Sequence, residues 1–558
     1  LRVEVVERLN EVGQVMVELD EASLQAAIAI LQAAEVEAVA ISLLFSFTNP
    51  AHEQKVAAAA RSAGFYVSAS SEVLPEFREY ERTSTVALNA YVGPLIDRYL
   101  SRLEQELPQQ TTLRIMQSNG GSISSATARR EAARTLLSGP AAGVVGAAFV
   151  AEASGFMQAI TIDIGGTSTD VALINGKVTE TTDGKIGGYP TRLPMIDIHT
   201  VGAGGGSIAW FDVGGALRVG PVSAGAYPGP AAYGCGGSKA TVTDANVVLG
   251  RLIPEAFLGG SMALDLAQAR NAVSAIAEQL GTTPEEAALG IVRVVNANME
   301  AAIRVISVER GSDPREFTLV AFGGAGPLHA CELAAALRIP RVLIPTTPGV
   351  LSALGMLVAD TLKDYVRTVM VPAEEAQAVT EATLAELEQQ GRDDLVREGI
   401  EAERIVIEQY LDLRYLGQSY ELVVPFDGDV ARAVEGFHAA HEQRFGYNDP
   451  GERVQVVNVR LKARGLTQHP ELERRERVSN ATAQPAFVSP AIFAGPSGPL
   501  SSTVPIYQRA SLVPGAILSG PAIVIQYDTT TVIPPGWQTQ VDSVSNLIIE
   551  QTEEELHA

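Results

Sequence analysis

Thr161-Ile162-Asp163-Ile164-Gly165-Gly166-Thr167-Ser168-Thr169-Asp170-Val171-Ala172-Leu173-Ile174-Asn175-Gly176-Lys177 is the stretch that decides how this chain is read. An apolar run ends on Asp163, a Gly165-Gly166 turn follows, hydroxyls crowd Thr167, Ser168 and Thr169, and Asp170 opens a second apolar run. The pattern predicts strand, tight turn, strand, with a hairpin return at Asn175-Gly176. Glycines let backbone N–H groups approach a phosphate and hydroxyls add donors. Asp163 and Asp170 remain as a carboxylate pair suited to a hydrated metal ion. An ordinary Gly-rich hairpin has no need of two acids and three hydroxyls at one turn.

Bulk properties narrow the class. The chain of 558 residues is 46% hydrophobic and 19% charged, enough to bury several cores; length alone suggests about three or four domains. A net charge of −24, from 41 basic against 65 acidic residues with no basic block, argues against a nucleic-acid partner. Cys235 and Cys331 form neither a disulfide framework nor a metal spacing, which favours a reducing compartment. Apolar stretches such as Val39 to Phe47 are too short to span a bilayer, and no secretion signal is visible, so the expectation is a cytoplasmic protein with no membrane partner. The sequence opens on Leu1 without Met, as a processed chain or a piece of a longer one would.

Helical spacing after Asp20, a suitable N-cap, predicts a helix over Glu21 to Ala33. Val36 to Phe47 reads as a buried strand, His52 to Ala63 as a helix and Phe65 to Ser68 as a short strand. Glu81 to Leu107 reads as a helix pair broken at Gly93-Pro94, and Leu113 to Gly121 as a strand running into a turn. Glu131 to Asp360 is glycine-dense and holds most of the chemical motifs. Helices are then expected over Glu374 to Gly399 and Val430 to Phe445, and strands over Ile405 to Tyr415, Tyr420 to Pro425 and Gln455 to Ala463. His469 to Gly498 reads as a linker, and Pro-Gly turns after it predict a small β module.

A second motif, Leu319 to Ala330 (LVAFGGAGPLHA), runs a buried strand into Gly323-Gly324-Ala325-Gly326 and starts a helix near Pro327. Such a turn lets a flat ring or a phosphate lie on bare backbone, although it lacks the dinucleotide-binding spacing. A third, Ile196 to Ser207 (IDIHTVGAGGGS), offers Gly202 and Gly204, Gly205, Gly206 with Ser207 as a run of N–H donors. It also puts Asp197 and His199 on one side of a strand, for a metal or for proton transfer, or with His199 as a hydrogen-bonded core histidine. Leu137 to Ala147 has small residues at helical spacing, for close helix packing. Thr243 or Asp244 caps the next helix, and Asp244 with Asn246 could also reach a site. Asn296, Asn298 and Glu300 precede Arg304 on a predicted helix, read as a solvated face; His438 and His441 lack a metal-protease pattern.

Taken together, SGPAAGVVGA, DIGGTSTDVAL, DIHTVGAGGGSIAW, GPAAYGCGG, TVTDANVVLGRL and VAFGGAGPLHA, in this order, resemble the A subunit of the hydantoinase/oxoprolinase family. Leu43 to Glu53, Leu74 to Val92 and Gly520 to Trp537 match as well, so the resemblance spans nearly the whole chain. It implies an α/β, two-lobed actin/Hsp70/sugar-kinase-like ATPase fold with a C-terminal α+β, β-rich module. The implied segments are 1–128 as the rest of an N-terminal lobe, 129–372 as the ATP-binding core, 373–468 as an α+β segment and 469–558 as the β-rich module.

The resemblance further implies ATP and Mg²⁺ as cofactors, with Asp163 and Asp170 at the metal. Gly165, Gly166, Thr167, Ser168 and Thr169 would lie on phosphates, and Gly323, Gly324, Ala325 and Gly326 under adenosine. Asp197 and His199 are the further catalytic candidates, and Gly204, Gly205, Gly206, Ser207 and Asp244 the substrate candidates. The implied reaction phosphorylates the carbonyl oxygen of a hydantoin or 5-oxoproline and opens the ring. The implied partner is a B-type hydantoinase subunit, in an oligomer. Alternatives are a ketone carboxylase subunit, of acetone or acetophenone type, and a non-catalytic nucleotide-binding protein. Family members normally carry another acid-Gly-Gly-Thr loop about a hundred residues before the position of Leu1; none precedes Asp163 here, and a missing segment is the expectation.

Overall fold

Several helices start where the sequence supplies caps. Asp20 accepts from the Ser23 N–H ahead of Glu21–Ala33, and Thr283 forms a reciprocal capping box with Glu286 ahead of Pro284–Ile306, with Pro284 in the first turn. In the computed structural model, which describes residues 1–108, 111–479, 481–496 and 498–552, the chain divides into two compact units. One is Leu1–Ser138, Glu180–Met195 and Ala359–Gln468; the other is Gly139–Thr179, Ile196–Val358 and His469–Ala558. Both are assembled from separated stretches, so the four consecutive segments expected from the sequence do not coincide with them. The last six positions of the expected β-rich module, 553–558, and positions 480 and 497 of the expected linker lie outside the described residues. No helix among the described residues is long and apolar enough to cross a membrane.

The unit that carries the opening motif is built on an eight-stranded mixed sheet. Its order is Ile198–Val201, Thr169–Asn175, Gln158–Ile164, Thr318–Phe322, Arg341–Ile344, Leu547–Gln551, Trp537–Val541, Ile517–Ser519. Thr318–Phe322 lies parallel to both of its neighbours and is buried along its whole length, as a continuous apolar run requires. Alternate residues serve opposite faces. Leu319 and Ala321 join the core beneath Leu266–Leu280, Pro284–Ile306 and Gly326–Leu337, while Val320 and Phe322 meet Ser138–Ala153. The small residues of that last helix do what their spacing predicts: a Cβ on Gly146 would stand 2.5 Å from the Leu351 carbonyl oxygen. Of the C-terminal strands, Ile517–Ser519, Trp537–Val541 and Leu547–Gln551 complete this sheet through the antiparallel Arg341–Ile344 and Leu547–Gln551 ladder, while Phe487–Gly495, Gly498–Gln508, Ala522–Ile525 and Thr530–Ile533 pair among themselves. Phe487–Gly495, read from sequence as linker, is a strand of a second, four-stranded sheet.

In the other unit Leu422–Pro425, Ile405–Tyr415, Val454–Gly465, Thr361–Pro372, Ser122–Ser124 and Arg114–Met116 form a six-stranded sheet. Two expectations are corrected there. The predicted strand over Val36 to Phe47 is only Ala38–Ile41, because the Leu43 N–H donates to the buried Glu53 carboxylate instead of a ladder. The helix pair is a single helix, Glu79–Glu106, that passes through Pro94. Gly93 sits against the Tyr66 ring, where a Cβ would come within 2.1 Å, so tertiary packing outweighs the roughly 3 kcal/mol a mid-helix proline costs.

Candidate functional site

The Gln158–Ile164 and Thr169–Asn175 strands pair antiparallel, with Asp163 directly opposite Asp170 across the turn. Directly opposed residues share a face, so two like charges meet there. Burial first, and then the neighbouring Asp170, push the Asp163 carboxyl up to about 6. Burial raises Asp170 as well, partly countered by the Thr200 hydroxyl, which donates to Asp170 Oδ1 at 2.5 Å. Such a pair is unfavourable alone and is relieved by a cation, so these residues fit a hydrated divalent ion.

At the turn, Gly165 N–H closes on the Ser168 carbonyl at 3.1 Å. The N–H groups of Gly166, Thr167 and Ser168 have no acceptor among the described residues, and Gly166 and Thr167 are exposed. This is a ready anion cradle. Thr169 is different: its hydroxyl, fully buried, donates to the Ala203 carbonyl, so it braces the turn. The second glycine motif closes on the same acid. Gly323 has φ +79°, and a Cβ there would lie 2.2 Å from Asp163 Oδ1. Ala325 N–H donates to the Ile164 carbonyl at 2.9 Å, and Gly326 and Pro327 open the following helix.

The third glycine run is scaffold. Gly205 N–H donates to the Gly165 carbonyl at 3.0 Å and Gly206 N–H to the Gly166 carbonyl at 2.7 Å. Gly204 N–H donates to the buried Ser207 hydroxyl oxygen. A Cβ on Gly204 would stand 2.7 Å from the Gly165 carbonyl oxygen, so glycine there lets the run lie against the Gly165–Ser168 turn. Its donors are spent on protein, and it is no second anion cradle.

Other candidates are drawn away. Thr241, not Thr243 or Asp244, is the N-cap of Val242–Val248. Asp244, fully buried, accepts from Thr241, Ala231 and Ala232, which leaves it no oxygen for a substrate. Asp197 is held by Arg310. His199 pairs with Val171, one register step from the Thr200–Asp170 pair, and so lies on the opposite face of the sheet from Asp163 and Asp170. Among the described residues one group of three acids lies close enough to hold a metal, Glu76, Asp412 and Glu421, and it is in the other unit. Arg192 bridges Glu76 and Glu421 at 2.8 Å each, and Arg460 reaches Asp412 at 2.7 Å, which makes it an ion-pair network.

Beside the Gly165–Ser168 turn is a pocket of about 170 Å³, with Gly165, Gly166, Gly324 and Ala325 in its lining. Tyr233, Phe257, Leu328 and Tyr527 give it apolar and aromatic walls, and His329 and Asn246 also line it. Spacing alone assigns His329 no role, although the strand–glycine turn–helix arrangement ends on it, and Phe257 and Tyr527 arrive from distant segments that no local pattern connects to it.

The hydantoinase/oxoprolinase model matches residues 82–365, its N-terminal region 1–64 and its C-terminal domain 371–551. The chain is 38% identical over 542 residues to the caprolactamase subunit alpha of Pseudomonas jessenii, across 94% of this chain and 78% of that one. It is 32% identical over 563 residues to 5-oxoprolinase of Saccharomyces cerevisiae, across 95% of this chain and 43% of that one. The crystal structure of ATP-dependent caprolactamase from Pseudomonas jessenii superposes with a TM-score of 0.88 at 36% identity, covering 98% of this chain and 82% of that one. The chain therefore belongs to the hydantoinase/oxoprolinase family.

Proposed function

We propose that this chain is the ATP-using subunit of an enzyme that opens a cyclic amide, with the phosphates seated on the Gly165–Ser168 turn. The observation that carries the reading is the opposed pair Asp163 and Asp170 beside free N–H groups, in a chain whose relatives include a caprolactamase subunit and a 5-oxoprolinase. The fold around it is an actin-like ATPase architecture.

Asp163 and Asp170 would hold Mg²⁺, which when bound neutralises phosphate charge. The Gly166, Thr167 and Ser168 N–H groups bind phosphoryl oxygens, and the Thr167 hydroxyl adds a donor. Gly323 to Gly326 keep Asp163 in place and leave bare backbone beside the nucleoside. The amide carbonyl oxygen attacks the terminal phosphorus, the bond to the ADP oxygen breaks, and an O-phosphorylated imidate results. Water then adds to that carbon, the C–N bond breaks with its electron pair and a proton going to nitrogen, and a second water hydrolyses the resulting acyl phosphate to a carboxylate and inorganic phosphate. A second subunit of B type completes this hydrolysis in a hetero-oligomer. ATP coupling is needed because unstrained lactams resist water. Asp197, Gly204 to Ser207 and Asp244, whose groups are engaged by protein, and His199, on the opposite face of the sheet from Asp163 and Asp170, are not assigned to the acceptor side.

The test is ADP release with a partner subunit present, against caprolactam, 5-oxoproline and hydantoins. Release that requires a cyclic amide and yields the ring-opened product supports the reading. Release that requires a ketone with bicarbonate contradicts it.

A further inference from the structure

We infer that the pocket beside the phosphate turn reads the 6-amino group of an adenine base through two buried acceptors, His329 Nε2 and Asn246 Oδ1, and so rejects 6-oxopurine nucleotides. This rests on the reading that nucleotide phosphates occupy the Gly165–Ser168 turn.

A relay of side chains fixes what His329 can do. Arg251 donates to Glu332 Oε1 at 2.8 Å, and Asn296 Nδ2 donates to Glu332 Oε2 at 2.7 Å. Asn296 is thereby oriented with its Oδ1 toward His329 Nδ1, 2.8 Å away. An amide oxygen only accepts, so Nδ1 carries the hydrogen and Nε2 keeps a bare lone pair. Burial, with His329 only 1% exposed, holds the ring neutral by pushing its pKa down to about 4. Nε2 has no hydrogen-bond partner among the described residues.

Asn246 is oriented too. It is fully buried, its Nδ2 donates to the Val242 carbonyl at 3.0 Å, and its Oδ1 has no partner among the described residues. Buried acceptors without donors are uncommon because desolvation is not repaid. Both residues line the pocket whose rim is the phosphate turn and whose walls include Phe257 and Leu328. At about 170 Å³ it suits one ring system at the end of a larger ligand, since whole ligands fill roughly 300 Å³ or more. A flat ring bearing two N–H donors on one exocyclic nitrogen answers both acceptors. A 6-oxo group would set lone pair against lone pair.

The experiment measures binding of ADP, IDP and purine riboside diphosphate to the full chain by calorimetry with Mg²⁺. ADP is expected to bind about 100-fold more tightly than IDP, because a site built to hydrogen-bond a donor strongly rejects analogues without it. Equal affinities, within about threefold, overturn the inference while leaving the phosphate site standing. If no diphosphate binds, the nucleotide reading itself fails and the inference with it. Asn296→Leu supplies the second readout, as it frees His329 to move its hydrogen to Nε2. The ADP-to-IDP preference should fall about tenfold. A merely structural role would weaken both nucleotides equally and contradict the assignment.

Discussion

Gly165-Gly166 and Gly204-Gly205-Gly206 have the same composition and opposite work. In the first, Gly166 has open space where a Cβ would be, and its N–H has no acceptor among the described residues. In the second, every one of the three N–H groups is already donated to protein, and a Cβ on Gly204 would collide with the turn it supports. One run leaves donors open, as an anion-binding turn would; the other holds that turn in shape. Glycine density marks close backbone approach, and only the fate of the N–H groups tells whether the approaching partner is a ligand or the protein itself.

The comparison breaks hardest at the loop that closes on Asp163. Gly323→Ala would drive a Cβ into Asp163 Oδ1 from a left-handed backbone position, and ADP release should fall about 10³-fold, measured at saturating ATP. Activity within about threefold of wild type would remove Asp163 from the chemistry. Next, Gly204→Ala should cost about 3 kcal/mol of stability in a urea titration, as overpacking against rigid backbone does. Gly166→Ala should cost no more than about 0.5 kcal/mol and instead weaken ADP binding about tenfold. The reverse pattern would exchange the two roles.

A smaller effect comes from charge. Asp163 is raised in the folded protein from 3.8 to about 6, so the fold binds that proton more tightly than the unfolded chain does. Without divalent cation the ionised pair therefore destabilises the fold as pH rises through about 6, and the penalty is absent below about pH 4. Asp163→Asn should then be more stable than wild type by about 1–2 kcal/mol above pH 6, an advantage that vanishes below about pH 4 in paired melts. The smallest effect is expected at His199→Ala: on the opposite face of the sheet, it should change ADP release by less than about threefold.

Much of this was legible in the chain. Strand–turn–strand around Asp163, the helix opening at Gly326 and the small-residue helix Ser138–Ala153 follow from local pattern, because caps, turns and periodicity act within a few residues. What escaped depends on partners far away in sequence. Asp197 and His199 alternate as a site pair would, but register sets His199 against Val171, and Arg310 takes Asp197. Asp244 looks available until the N–H groups of Ala231 and Ala232 arrive at its oxygens. The pocket joins Asn246, Phe257, His329 and Tyr527, which no local spacing relates.

The most direct test of the central claim compares wild type with Asp163→Asn in a coupled assay of ADP release and lactam opening, with the partner subunit and Mg²⁺. The account predicts ADP release that depends on the cyclic amide in wild type, and a loss of about 10³-fold or more in the folded variant. Undiminished, amide-dependent release from Asp163→Asn would contradict it.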